Sequence, residues 1–323
     1  MIRALCASVV LQTAAGVALA QAPPATSAPA PVPAAAPAPA RPRFMPIPIG
    51  PAASVPPEVA ILHPTPAELA QVNQAMKKWV DEDRSPTKPL LKKYEPLLML
   101  QAPRLNVAAT YTPTPMRLGE RHEGFVEIAK KGNIDLLLHG DSITDWWQQG
   151  DENKAVFEKY FGSYRTADFA IAGDTTNGLL WGLKNGEGQG FQPKAVMLMI
   201  GTNNTGGSDN AGTATAAEIA EGVGAVVLEM RSDFPQAKIL LLAIFPRGVP
   251  GDSARDKIAE INRLVSKLDD QRHIFYLDIG PKFLDEKGNF LPGAFRPDNL
   301  HPAVKGYEIW GEAVKDKLAE LMK

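Results

Sequence analysis

Beyond Met116 the chain settles into a regular rhythm of apolar and polar positions. Short continuous apolar runs occupy residues 134–138, 167–171, 195–200, 239–245 and 274–278. Amphipathic stretches lie between or after them at 120–131, 175–183, 216–232, 254–269 and 303–322. An apolar run without alternation is a strand buried on both faces, and strands separated by helices predict a parallel sheet covered on each side. In open α/β sheets of this kind the site lies beyond the carboxyl ends of the strands.

Upstream the pattern changes. Thr65-Pro66-Ala67-Glu68 predicts a helix start, with Thr65 as N-cap, Pro66 at the first helical position and Glu68 completing a capping box. Leu69, Val72, Met76, Trp79 and Val80 follow at helical spacing, as core or docking contacts. The proline-broken stretch after it carries no assignable period. From 21 to 57 the composition collapses to Pro and Ala, with thirteen of the chain's 29 prolines; such a segment is an extended, semi-rigid linker. The first twenty residues have an export-signal pattern: Arg3, an apolar stretch, then Ala18-Leu19-Ala20 before Gln21. The expected organisation is a signal peptide at 1–20, a linker at 21–57, an N-terminal extension with one helix at 58–116 and a main domain at 117–323. The expected location is periplasmic or extracellular after cleavage near Ala20.

Composition narrows the chemistry. The single cysteine, Cys6, falls inside the signal, so a mature chain has no thiol for catalysis, disulfides or metal binding. A formal net charge of −2 with no long basic run argues against nucleic acid and anionic membrane as partners. No integral membrane segment is expected in the mature chain, and the oligomeric state is open.

The strand ends are richer. The first apolar run leads into His139-Gly140-Asp141-Ser142, the second into Gly173 and Asp174, and the third into Gly201-Thr202-Asn203-Asn204; "PDNLHP" places Asp298 three residues before His301. A serine there either caps the next helix or acts as a nucleophile. The second role needs a base within hydrogen-bond reach and a carboxylate to orient it. Spacing of three lets Asp298 turn back onto the His301 imidazole within one loop. A glycine amide, the serine's own amide and an asparagine side chain can together receive an oxyanion.

These four ordered blocks resemble the SGNH (GDSL-type) hydrolase superfamily. "FAIAGDTTNGLLWGLKNGE", "IGTNN" and "IFPRG" are similar to the platelet-activating-factor acetylhydrolase catalytic-subunit branch and its bacterial relatives. The resemblance covers roughly 117–322. It implies a three-layer, flavodoxin-like α/β/α sandwich of about five parallel strands, with no metal and no organic cofactor. It implies Ser142 as nucleophile, His301 as base and then acid, and Asp298 as the orienting carboxylate. The oxyanion hole would be the N–H groups of Ser142 and Gly173 with the Asn203 amide.

Further candidates, for lining the substrate pocket, are Asp141, Trp146, Trp147 and Arg247. Asp174 is expected to cap the following helix and Asn204 to form an Asx turn. His122 is expected to be solvated or to make local contacts only. His139 adjoins the nucleophile loop without a carboxylate at triad spacing. A second Gly-Asp-Ser, at 251–253, lies several loop residues beyond its strand, so Ser253 or Asp252 there is expected to cap a helix. The expected function is an exported serine esterase acting on small, O-acetyl esters, first those of carbohydrates. A phospholipid, lysophospholipid or platelet-activating-factor-like ester is the second reading. A catalytically silent glycan-binding module is the third.

Overall fold

The five apolar runs pair side by side in a computed structural model that describes residues 47–206 and 214–323. They form β1 (Leu136–Gly140), β2 (Thr166–Asp168), β3 (Ala195–Met199), β4 (Lys238–Leu242) and β5 (Ile274–Leu277). Every pairing is parallel and the order is β2-β1-β3-β4-β5. The chain winds outward in one direction from β1 to β2 and in the other from β3 to β5. The switch point therefore falls between β1 and β3, where a crevice opens at the carboxyl ends.

Helices cover both faces. In chain order they are α1 (Pro66–Glu82), α2 (Lys88–Lys93), α3 (Glu95–Leu98), α4 (Glu120–Lys131), α5 (Ser142–Asp145), α6 (Gly150–Phe161), α7 (Thr176–Gly182), α8 (Ala216–Asp233), α9 (Ser253–Val265) and α10 (Val304–Leu321). Alternate strand residues supply two cores. Leu137, Val196, Leu198, Ile239 and Leu241 face α4, α7, α8 and α9; Leu136, Leu138, Met197, Leu240 and Leu242 face α6 and α10.

Two strand ends differ from the apolar runs. β1 continues through His139 to Gly140, because the His139 ring is wholly buried and its backbone pairs with Leu198. Gly140 is required there: a Cβ would lie 2.4 Å from the Met199 carbonyl oxygen of β3. β2 ends at Asp168, although the Phe169 and Ile171 N–H groups still donate to Leu138 O and Gly140 O of β1. α6, whose charged sequence GDENKAVFEKYF hides its apolar stripe, has no counterpart among the predicted elements.

The capping box at Thr65 and Glu68 forms as predicted. Of the apolar positions on α1 only Val80 is buried, while Val72 and Trp79 are exposed. The signal peptide and most of the linker lie outside the described residues. The last part of the linker behaves differently from a free spacer. The Gly50 N–H donates to Thr112 Oγ1, Tyr111 N–H to Pro51 O and Ala53 N–H to Ala109 O, and Val59 is buried in the core. Residues 106–116, placed in the extension by sequence, are likewise part of the main unit, which runs from Pro46 to Lys323. Among the described residues no helix is long and apolar enough to cross a membrane.

Candidate active site

Ser142 is the first residue of α5, a single turn entered directly from β1. Asp141 caps that turn, its side chain accepting the Ile143 N–H at 3.0 Å, and Tyr307 of α10 pins it by donating to Ile143 O at 2.9 Å. From the far side of the crevice the loop before α10 delivers His301. Its Nε2 lies 2.9 Å from Ser142 Oγ and its Nδ1 2.8 Å from Asp298 Oδ2. A carboxylate only accepts, so Nδ1 carries the proton and Nε2 presents its lone pair to the serine hydroxyl. Burial raises the Asp298 pKa, but bonds from the His301 N–H and ring and from the Leu300 N–H outweigh it. The carboxyl is held below its ordinary value, and so anionic.

Three neighbouring strand ends bring the other expected residues to the same edge. Gly173, after β2, has φ +82°, a backbone conformation that suits glycine, and a Cβ would meet the Met116 side chain. Asn203 follows β3, and its Nδ2 donates one proton to Asp174 O at 2.8 Å. An amide nitrogen carries two protons, which leaves one for a reacting oxygen. Arg121 locks the loop after β2 to α5: its guanidinium grips both Asp145 oxygens and Ala170 O, while Asp145 also accepts the Ala172 N–H. The three loops are thus tied to one another as well as to the sheet.

Behind Gly173 and Asn203 lies a charge cluster that local sequence pattern does not reveal. Arg117 is wholly buried between Asp174, at 2.6 Å, and Glu187; Thr114 donates to the other Asp174 oxygen at 2.9 Å. His122 Nδ1 sits 2.7 Å from Glu187, and His139 Nε2 is 3.5 Å from it. Burial drives the His139 pKa below its ordinary value. Glu187 is depressed despite burial, chiefly by the Arg117 charge and by the two histidines. The stretch Arg117-Leu118-Gly119-Glu120-Arg121 resembles any solvated charged segment, so only the tertiary structure identifies these two arginines.

Several expectations need correction. Trp147 does not line a pocket: it is fully buried among Phe157, Phe161, Tyr307 and Trp310. Asp141 is equally unavailable to substrate, being 1 % exposed and committed to its cap. Its burial, with the Asp174 charge nearby, pushes its carboxyl up to about 7. Arg247 braces the Asn203 loop through Thr202 O and Thr205 Oγ1, both at 3.2 Å. Asp174 is no cap; Thr175 occupies that position, and Asp174 serves Arg117. Asn204 makes no Asx turn; its side chain bonds the Thr176 N–H and hydroxyl across the site edge. His122 is neither solvated nor confined to local contacts, since it packs against Glu187, 65 residues away. At the second Gly-Asp-Ser the cap is Asp252, accepting the Ala254 N–H, and not Ser253. Trp146 stacks on His301 with ring centroids 3.9 Å apart.

Comparison with known proteins gives the family. Residues 138–309, more than half the chain, match the model of the GDSL-like Lipase/Acylhydrolase family. The chain belongs to that family. It is similar to platelet-activating factor acetylhydrolase IB subunit alpha2 of Gallus gallus, 34% identical over 169 residues, which are 52% of this chain and 69% of that protein. The Mus musculus counterpart is 35% identical over the same length and shares. Among solved structures, a Bacteroides fragilis protein provisionally assigned as an acylhydrolase superposes with a TM-score of 0.52 at 18% identity. That match covers 65% of this chain and 99% of that one, and it supports the fold. As a GDSL acylhydrolase, the protein is a carboxylic ester hydrolase.

Proposed function

We propose that this GDSL hydrolase works through an acyl-enzyme on Ser142. The observation that carries the reading is the unbroken chain Ser142 Oγ, His301 Nε2, His301 Nδ1 and Asp298 Oδ2 at hydrogen-bond distances of 2.9 and 2.8 Å. His301 takes the serine proton as Oγ bonds to the ester carbonyl carbon. The carbonyl oxygen, now an anion, is met by the Ser142 and Gly173 N–H groups and the free Asn203 proton. Collapse breaks the carbon–oxygen bond to the alcohol, which leaves with the proton from His301. Water, deprotonated by the same imidazole, then releases the acid and restores the serine.

The preferred substrate in this proposal is a small O-acetyl ester of a carbohydrate. The signal-like first twenty residues and the Pro/Ala stretch support export to a place where acetylated polysaccharides are met. A specific observation favours a second reading, an acetylated phospholipid: the curated relatives are platelet-activating factor acetylhydrolase subunits. Turnover of 4-nitrophenyl esters from acetate to decanoate, beside a panel of acetylated polysaccharides and phospholipids, separates the two. A sharp preference for acetate with release from polysaccharide supports the first; tolerance of long chains with phospholipid turnover supports the second. Full activity in Ser142→Ala overturns both.

A further inference from the structure

α5 carries Ser142 at its first position and hands over to Trp146 four residues later. Residues four apart on a helical turn lie on the same side, so the indole rises beside the serine. There it meets the imidazole face to face: the rings are 3.9 Å apart at centroid and 23° from parallel. The residue is held at both ends. The Trp146 backbone N–H bonds back to Ser142 O and Thr144 O, its backbone carbonyl accepts from Asn153 Nδ2 at 2.9 Å, and the Arg296 guanidinium lies over the indole at 4.5 Å. Arg296 also belongs to the His301 loop, its N–H donating to His301 O at 2.8 Å.

We propose that Trp146 is a positioning residue for His301, with Arg296 steadying the indole, rather than a floor for substrate. This rests on the serine-esterase reading above. Asp298 fixes the Nδ1 edge of the ring, but one edge contact leaves the plane free to swing about it. The flat contact with the indole sets that plane, and hence the direction of the Nε2 lone pair toward Ser142 Oγ. The same contact favours the imidazolium that forms when the serine proton moves, because a cation is attracted to an aromatic face. The side chain of His301 is 14 % exposed. The indole therefore also covers an imidazole face that water would otherwise reach.

The test compares Trp146→Leu, Trp146→Phe and Arg296→Gln on 4-nitrophenyl acetate and on an acetylated polysaccharide. The rate at which a fluorophosphonate probe labels Ser142 is measured alongside. A misaimed base costs rate at every substrate, whereas a lost substrate contact costs affinity for the larger one. Trp146→Leu is expected to lower kcat on both substrates and the labelling rate by about 10- to 100-fold, with KM nearly unchanged. Trp146→Phe keeps a flat face and recovers most of the loss, and Arg296→Gln loses about three- to tenfold by the same misalignment. The melting temperatures of the variants should stay close to that of the parent protein. A Leu variant with parental kcat and labelling rate, or one whose only change is a raised KM for polysaccharide, overturns the assignment and leaves the serine-esterase reading standing. Failure of the parent protein to take the probe overturns both.

Discussion

The tripeptide Gly-Asp-Ser occurs twice, and both copies build the same local structure. Asp141 and Asp252 each cap a helix, accepting the N–H two residues ahead at 3.0 and 2.9 Å, and Ser142 and Ser253 each open that helix. What differs is the approach and the company. Gly140 is a strand residue paired with β3, while Gly251, φ +87°, turns in a loop where an added Cβ would meet nothing within 4 Å. Ser142 meets His301; among the described residues Ser253 has no hydrogen-bonding side chain as partner. Local sequence makes a helix start in both places, and only at the sheet edge does the serine meet a histidine.

The largest effect that could break this contrast is on turnover. Ser142→Ala is expected to remove ester hydrolysis by about 10⁶-fold, while Ser253→Ala leaves kcat and KM where they were. Activity assays on the purified variants decide it, and a comparable loss at Ser253 would abolish the distinction. Asn203→Ala comes next, with an expected fall in kcat of about 10²–10³-fold and little change in KM, since the donated proton matters most to the oxyanion. A loss in KM alone would place Asn203 on the substrate rather than on the reacting oxygen.

The two caps should differ in how their stability responds to pH. Asp141 keeps its proton to about 7 when folded, against about 4 when unfolded. Between those values the folded state binds more protons, so this group stabilises the fold below pH 4 and that contribution is lost as pH rises through 7. Asp141→Asn keeps an oxygen for the Ile143 N–H and should flatten the fall in melting temperature across that window. Asp168, raised to about 8, and Asp233, raised to about 7, both by burial, act in the same sense and leave part of the slope. An unchanged slope in Asp141→Asn would count against a protonated carboxyl there. The smallest effect is at the outer copy, where Asp252→Ala is expected to cost about 1 kcal/mol in denaturant unfolding through its lost cap.

Much of this architecture can be read from the residues themselves. Continuous apolar runs show the five strands because a doubly covered sheet has no wet face to impose alternation. The positions of Ser142, Gly173, Asn203, Asp298 and His301 follow from strand ends and spacing, since a loop of a few residues has little freedom in where it puts a side chain. Other features are set by distant partners. Trp147 and Trp146 are adjacent and chemically identical, yet one enters the core between α6 and α10 and the other covers His301. Arg117 and Glu187 are charges in polar surroundings of sequence, and their burial depends on each other across 70 residues. β1 runs on through a histidine because that histidine is buried, which composition alone argues against.

The position of Arg117 bears on where this enzyme can be cut. It lies 21 residues ahead of the segment that matches the family, yet it is the cation that Asp174 and Glu187 face in a dry interior. A fragment trimmed to the family segment would bury these two acids without the arginine between them, beside the loop that carries Gly173. Thr114, Thr112 and Ala108 go with the same cut, and with them the anchors of Asp174, Asn177 and Thr176. A piece that keeps these contacts begins well upstream of the recognisable motif, at the strap that starts near Gly50.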